Sequence, residues 1–272
     1  MVGLLDNIKD YTLDLDDSQA HVLEAGSGYP TIFLHGAGFT NSAEAWLACI
    51  KEGLADSVHV YAIDHVGAGY TSRREGRYEF GFLVDHVREV QDALGFEKTN
   101  IVGHSLGGWV GGVLAYESPE RVNKLVLAAN AGLNVQPPAG VAERAQLPSH
   151  DQLAQDLAGI ADDEVRAAML EARKRIVDYP NAAETYDGVG EMFGAIPMRK
   201  RYYLTRRLGR IKAPTLLIYG ENDLHVPSPE GRKVMHEGIK GSQMVVMPDT
   251  GHSMITERPR EVAKMISDFL NG

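Results

Sequence analysis

The stretch Asn100-Ile101-Val102-Gly103-His104-Ser105-Leu106-Gly107-Gly108 decides the fold of this chain. An apolar run leads to Ser105, and a glycine lies two residues away on each side. A serine on a sharp turn between a strand and a helix needs small residues at these two positions, so that the helix can approach the strand. Residues 99–102 are typical of a short buried strand, and residues 106–116 continue as a helix rich in small residues. We therefore predict a strand, a tight turn that exposes Ser105, and a helix; the alternative is a glycine-rich turn with an incidental serine.

Strand and helix patterns alternate on both sides of this stretch. Residues 11–17 and 19–25 alternate apolar and polar positions and predict an antiparallel hairpin. Further buried strands are predicted at 31–34, 58–63, 122–128, 214–219 and 243–247, and helices at 41–54, 80–94, 229–239 and 259–270. Such alternation predicts an α/β protein with a mostly parallel eight-stranded sheet and helices on both faces.

Residues 133–209 interrupt the alternation. Prolines open this segment, and amphipathic patterns over residues 151–179 and 184–208 predict two helices with no strand between them. We interpret the segment as an inserted helical cap (lid). Residues 1–132 and 210–272 then form the core domain.

Composition narrows the classes of partner. The chain has 272 residues, of which 44% are hydrophobic, and a formal net charge of -10. This charge disfavours nucleic acid and anionic membranes as partners. No apolar run reaches membrane-spanning length, so we expect a soluble, cytoplasmic protein. Cys49, the single cysteine, lies among apolar residues and is expected to be a buried structural thiol.

A serine hydroxyl becomes a good nucleophile when a base takes its proton, and a carboxylate can orient that base. Asp223 follows a predicted strand in Gly220-Glu221-Asn222-Asp223, and His252 follows the final one. In a parallel sheet both loops emerge at the carboxyl edge, as Ser105 does. Asn130, after the preceding strand, is an alternative to Asp223, but a neutral amide stabilises an imidazolium less well.

Other polar residues have simpler interpretations. We expect His35 to brace its own loop and Asp64 to hold the loop at 67–69. His104 can either shape the turn or line a pocket. Five further histidines are interpreted as solvated or packing residues: His21, His59, His86, His150 and His236. Because no histidine pair has a compelling metal spacing, we predict no metal and no cofactor.

Five motifs in register resemble the α/β-hydrolase superfamily over almost the whole chain. They are His35-Gly36-Ala37-Gly38, Asp64-x-x-Gly67-x-Gly69, Gly103-His104-Ser105-Leu106-Gly107-Gly108, Gly220-x-x-Asp223 and Gly251-His252. The resemblance implies that Ser105 is the nucleophile, that His252 is the base and that Asp223 orients it. It also implies an oxyanion hole formed by the backbone N–H of Leu106 with that of Ala37 or Gly38.

Within the superfamily the chain resembles the capped group of small esterases and meta-cleavage-product carbon–carbon hydrolases. The latter usually have Gly-Asn-Ser-Met-Gly at the turn and tryptophan after the histidine, whereas this chain has His104, Leu106 and Ser253. The leading hypothesis is a serine hydrolase for carboxylic esters of small to medium acyl substrates. Carbon–carbon hydrolysis of meta-cleavage-type dienoates is the alternative, and a small-molecule receptor that keeps the triad is a third.

The cap is expected to roof a pocket for a small-molecule substrate, and a homodimer is left open. Apolar and aromatic cap residues either line this pocket or form the cap's own core: Met169, Met192, Phe193, Met198, Tyr202 and Tyr203. The cap arginines mostly suggest a solvated face, although one turned inward would recognise a carboxylate: Arg166, Arg173, Arg175, Arg199, Arg201, Arg206 and Arg207.

Overall fold

The structure is a computed structural model that describes residues 7–38, 40–73, 78–133, 147–194, 200–224 and 226–272, with the backbone alone described at 189, 193 and 194. Over these residues eight strands form one sheet in the order β1-β2-β4-β3-β5-β6-β7-β8, which confirms the predicted sheet. The strands are β1 (Lys9–Asp14), β2 (Gln19–Ala25), β3 (Pro30–Leu34), β4 (His59–Ile63), β5 (Thr99–His104), β6 (Val122–Ala128), β7 (Thr215–Gly220) and β8 (Gln243–Met247).

The sheet is antiparallel at one end and parallel over the rest of its width. β1 pairs with β2, and β2 pairs with β4, in antiparallel register, as the predicted entry hairpin requires. From β4 to β8 every neighbouring pair is parallel. The carboxyl ends of β3, β5, β7 and β8 therefore lie at the same edge, and the loops after them can meet there.

Helices cover both faces of the sheet. The α-helices whose two ends are described are α1 (Leu47–Lys51), α2 (Phe80–Ala93), α3 (Leu106–Glu117), α4 (His150–Asp156), α5 (Asp163–Val177), α6 (Ala182–Gly194), α7 (Pro229–Gly238), α8 (Met254–Glu257) and α9 (Pro259–Asn271). Ile32 and Leu34 pack into the core with α2 and α3, whereas Phe33 between them packs into the core with α1 and α9. Alternate residues of a strand point to opposite faces, and this is why three consecutive residues of β3, Ile32, Phe33 and Leu34, are apolar.

The helix predicted over residues 41–54 is shorter and broken. A 3-10 turn (Ala43–Trp46) leads into α1, and Gly53 at φ +97° ends it. Ser42 precedes the turn, but its side chain makes no capping hydrogen bond. Instead the carboxylate of Asp64, from the end of β4, accepts the Ala43 N–H at 2.6 Å. The start of this turn is therefore capped by a side chain that follows another strand, and not by a neighbouring residue.

The two long helices predicted between β6 and β7 are also divided. Asp162 accepts the N–H groups of Glu164 and Val165 and so begins α5 as a new helix, separate from α4. Within the second predicted helix, α6 covers Ala182–Gly194, and residues 200–202 are again helical. Leu204 begins a 3-10 turn, and its N–H donates to Gly132 O at 2.8 Å, so it cannot bond one helical turn back. The division into core and cap stays a prediction.

Cys49 is fully buried, and its thiol donates to the carbonyl oxygen of Ile255 at 3.4 Å. Burial raises the pKa of this thiol, so a thiolate is disfavoured and the predicted structural role is supported. Among the described residues, the helices include none that is long and apolar enough to cross a bilayer.

Candidate active site

Ser105 lies on the turn that joins β5 to α3. Its backbone has φ +53° and ψ -111°, a conformation that costs a non-glycine residue conformational energy. Hydrogen bonds hold the turn: Ser105 N–H donates to Ala128 O at 2.9 Å, and Ser105 O accepts the N–H of Ala131 at 2.9 Å. The sheet thus fixes this strained residue at its carboxyl edge.

Two glycines allow the close approach that this turn requires. A Cβ on Gly103 would lie 2.3 Å from the carbonyl group of Gly107, and a Cβ on Gly107 would lie 2.3 Å from Leu34 O. Both separations are far below van der Waals contact, and the obstructing atoms belong to the backbone. The predicted need for small residues on both sides of Ser105 is confirmed.

The structure brings Ser105, His252 and Asp223 together. His252 Nε2 lies 3.1 Å from Ser105 Oγ, and His252 Nδ1 lies 2.6 Å from Asp223 Oδ2. The loops after β7 and β8 pack tightly, since a Cβ on Gly220 would lie 2.4 Å from the carbonyl oxygens of Thr250 and Gly251. The His252 side chain is 37% exposed and that of Asp223 is 5% exposed. The carboxylate is therefore shielded from water, while the imidazole is open to a ligand.

Asp223 is held at several points. Its Oδ1 accepts the N–H of Val226 at 3.1 Å, and the buried guanidinium of Arg232 donates to its backbone carbonyl. Asn130, the alternative acid position, is occupied elsewhere: its amide donates to Ala131 O at 2.9 Å and accepts from Tyr219 Oη at 3.0 Å. The geometry thus pairs His252 with Asp223.

Glu257 also holds the His252 loop, and the sequence reasoning missed it. Its two carboxylate oxygens accept the N–H of Gly251 at 2.7 Å and of Ser253 at 3.1 Å. The signal was a glutamate within the first turns of the helical segment that follows His252, because a carboxylate there can accept N–H groups at the start of a helix.

The predicted oxyanion-hole residues line one small cavity. Ala37, Gly38 and Leu106 all contribute to its wall, and its volume is about 30 Å³. Leu106 is the first residue of α3, where N–H groups have no partner within the helix. Asn41 braces the opposite loop, because its amide donates to Ala37 O at 3.1 Å.

His35 braces its loop as predicted. Its Nδ1–H donates to Gly36 O at 2.8 Å, and its Nε2 accepts the N–H of His65 at 3.1 Å. His65 returns a hydrogen bond from its own Nε2 to His35 O at 2.9 Å. Burial lowers the pKa of both imidazoles, so they form a neutral pair behind the loop.

A larger cavity of about 280 Å³ opens beside His104 and Ser253. Its opposite wall comes from α4 and α5 and includes Met169 and Arg173. No hydrogen bond or ion pair joins the Arg173 guanidinium to the described residues. Burial lowers the pKa of Arg173, and the charge of Asp156 partly offsets this effect. The wall thus presents a partly desolvated cation.

The other residues of the predicted cap lie either at the small cavity or in the core. Met192 lines the small cavity, whereas Tyr202 packs on Phe80 and Tyr203 stacks on Trp109. The side chains of Phe193, Met198 and Arg199 lie outside the described residues.

His21, predicted to be either solvated or a packing residue, is buried and packs against Tyr70. It is 3% exposed, and its Nδ1 lies 2.8 Å from Asp64 Oδ2, while its Nε2 lies 3.0 Å from Asp10. His21, Asp64 and Glu44 form a buried cluster whose ligand-type atoms lie within 4.8 Å of one another. The alternation of β2 could not reveal it, because Asp64 comes from the end of β4.

This His21–Glu44–Asp64 cluster has the donor types of a metal site, but Asp64 is already engaged. Both of its oxygens accept backbone N–H groups, from Ala43 and Tyr70, and this supports the predicted role in holding the following loop. Burial alone would lower the pKa of His21, yet Asp64 raises it to about 9. Burial and the Asp64 charge together raise the pKa of Glu44 to about 7. Near neutral pH the positive charge of protonated His21 therefore offsets the negative charge of Asp64.

Comparison with known proteins identifies the family. The family model described as alpha/beta hydrolase fold matches residues 29–259, and the chain belongs to this family. It is similar to 2-hydroxymuconate semialdehyde hydrolase of Pseudomonas sp. (strain CF600), at 31% identity over 91% of this chain and 88% of that protein. It is also similar to a monoacylglycerol lipase of Xenopus laevis, at 27% identity over 91% of this chain and 77% of that protein.

A solved structure supports the same family. The meta-cleavage product hydrolase of Pseudomonas fluorescens IP01 superposes with a TM-score of 0.79 at 27% identity, covering 97% of this chain and 98% of that one. Both ester and carbon–carbon hydrolases are therefore among the relatives, and the chain is a hydrolase of this family.

The raised pKa of Glu44 predicts a pH-dependent stability. Below the ordinary carboxyl pKa of about 4.3 both folded and unfolded states hold the proton, but as pH rises through 7 the folded state must bury a second carboxylate beside Asp64. Glu44→Gln removes this penalty. We expect its melting temperature, relative to that of the unmodified protein, to be higher at pH 8 than at pH 5 by about 3 °C or more.

Circular dichroism melts at the two pH values provide the measurement. Glu97→Gln, at an exposed glutamate, is the matched control and should show no such difference. An equal effect of Glu44→Gln at both pH values would contradict the assignment of the titrating group.

Proposed function

We propose that this protein is a serine hydrolase that cleaves carboxylic esters of small to medium acyl substrates. In this proposal Ser105 is the nucleophile, His252 is the general base and Asp223 orients His252. The observation that supports it most is the chain of contacts from Ser105 Oγ to His252 Nε2 at 3.1 Å and from His252 Nδ1 to Asp223 Oδ2 at 2.6 Å. Both distances allow the hydrogen bonds that activate a hydroxyl.

The proposed reaction begins when Ser105 Oγ attacks the ester carbonyl carbon and His252 Nε2 takes the hydroxyl proton. The carbonyl oxygen becomes an oxyanion, which the N–H of Leu106 and that of Ala37 or Gly38 stabilise. The intermediate collapses, the bond to the alcohol breaks, and His252 gives its proton to the departing oxygen. Water then attacks the acyl ester on Ser105 by the same route and releases the acid.

Asp223 has two roles in this proposal. It accepts a hydrogen bond from Nδ1–H, so the lone pair of Nε2 faces Ser105 Oγ. Its negative charge, 5% exposed, stabilises the imidazolium that forms during attack. The cavity of about 280 Å³ is lined by His104 and Ser253, the chain neighbours of Ser105 and His252, and we assign the substrate to it.

A second candidate is hydrolysis of a carbon–carbon bond in a meta-cleavage-type dienoate. The similarity to 2-hydroxymuconate semialdehyde hydrolase favours it, and so does Arg173 on the cavity wall. Such dienoates carry a carboxylate, which a guanidinium can bind through two hydrogen bonds. The ester proposal stays first because it needs only the three side chains and the backbone N–H groups already described.

Replacing the nucleophile tests the mechanism. Ser105→Ala should lower kcat on a p-nitrophenyl ester by about a millionfold, because the acyl-enzyme cannot form. A fluorophosphonate should label Ser105, as located by mass spectrometry. Ser27→Ala, at an exposed loop serine, should be labelled as the unmodified protein is. Near-full activity of Ser105→Ala would sink the proposal.

Asp223→Asn should lower kcat by up to about ten-thousandfold, because the amide can hold His252 in the wrong tautomer. Asp249→Asn, an exposed aspartate on the same loop as His252, makes the same chemical change without touching the imidazole and should keep kcat. Steady-state kinetics on one good ester give the comparison. Unchanged turnover in Asp223→Asn would reject this residue as the orienting acid.

Arg173→Leu separates the two candidate reactions. On p-nitrophenyl butyrate, which has no carboxylate, we expect little change in kcat/KM; on a ring-fission dienoate the loss of the guanidinium should lower it by about tenfold or more. Arg175→Leu, on the same helix but exposed, is the control. A high dienoate rate together with a negligible ester rate would make the second candidate the correct one.

A further inference from the structure

His104 is the last residue of β5 and directly precedes Ser105. Its imidazole is 6% exposed, and its Nε2 lies 2.9 Å from the backbone carbonyl oxygen of His252. The two imidazole rings are 5.1 Å apart between centroids. His104 therefore contacts the backbone of the residue whose side chain contacts Ser105.

The carbonyl acceptor determines the tautomer of His104. A carbonyl oxygen can only accept, so Nε2 carries the hydrogen and Nδ1 carries the lone pair. Nδ1 is buried and has no hydrogen-bond partner among the described residues; a Cβ on Gly36 would lie 3.0 Å from it. Burial, with a smaller contribution from His252, lowers the pKa of His104 to about 4, so the ring stays neutral.

If residue 104 served packing alone, a buried imidazole with one unpaired nitrogen would be unfavourable there. A buried polar atom without a partner is unfavourable, and an apolar ring would fill the same space without it. The feature that an apolar ring lacks is the Nε2–H bond to His252.

The His252 loop is held from two sides. Glu257 accepts the N–H groups of Gly251 and Ser253, and His104 donates to the carbonyl of His252 between them. Three consecutive residues are thus fixed at their backbones. Because His104 directly precedes Ser105 in the chain, its hydrogen bond links the backbone next to Ser105, through the His104 side chain, to the backbone of His252.

We propose that His104 is a positioning residue, which sets the distance between His252 and Ser105 through its Nε2–H bond to the His252 carbonyl. This inference rests on the proposed function of that pair. Misplacement of reacting groups by about 1 Å can cost on the order of a hundredfold in rate, so one backbone hydrogen bond at this position is sufficient to affect turnover.

Two substitutions that both introduce a side-chain amide test the hydrogen bond from His104 to the His252 carbonyl. His104→Gln places an N–H at the depth of Nε2, whereas His104→Asn places it one bond short, at the depth of Nδ1. We expect Gln to keep kcat within about threefold and Asn to lose about tenfold or more, with KM little changed in both. His104→Phe, which keeps a ring but has no donor, should behave as Asn does.

The rate at which a fluorophosphonate labels Ser105 is the second readout, because it does not depend on the natural substrate. If the unmodified protein is not labelled at Ser105, the proposed function fails. If it is labelled, and the Asn and Phe variants are labelled as fast as Gln, the positioning role is wrong.

Melting temperatures separate positioning from packing, and rates are compared well below them. The proposal is supported if only the Gln variant keeps its kcat and the order of the melting temperatures differs from the order of the kcat values. Losses of kcat that follow the melting temperatures, with Gln no better than Asn, overturn it. Should Asn fail to fold, the comparison of Gln with Phe decides.

Discussion

The close approach of α3 to the ends of β3 and β5 is the constraint on which the site depends. Gly103 and Gly107 leave no room for a Cβ, since backbone atoms lie 2.3 Å from where it would be. This packing forces the chain through a strained turn at Ser105, φ +53°, and presents its hydroxyl at the carboxyl edge of the sheet. Any side chain at either glycine would move the helix, and the serine with it.

The remaining groups of the site are held by backbone hydrogen bonds rather than by their own side-chain contacts alone. Glu257 and His104 fix the loop of His252, and Val226 N–H fixes one oxygen of Asp223. Preorganisation of this kind matters for the proposed function, because proton transfer from Ser105 to His252 requires hydrogen-bond distance. It also explains why several buried polar groups surround the site, although each one costs desolvation.

The same framework serves different reactions within the family. Relatives include a monoacylglycerol lipase and hydrolases of meta-cleavage products. In our proposal the cavity accounts for the choice of substrate, because its wall combines core residues with Met169 and Arg173 of α5. The Arg173 guanidinium would then favour substrates that carry a carboxylate.

The sequence by itself determined where the strands lie along the chain and the turn at Ser105 with its glycines, because apolar runs, tight turns and close approaches leave local signals in residue type. It also indicated which residue types would meet at the carboxyl edge of a parallel sheet. Only the tertiary structure decided that Asp64 caps the turn at Ala43, that His21 is buried with Glu44, and that His104 donates to the backbone carbonyl of His252. These contacts join residues from different strands and loops, and their distances depend on how the whole sheet is packed.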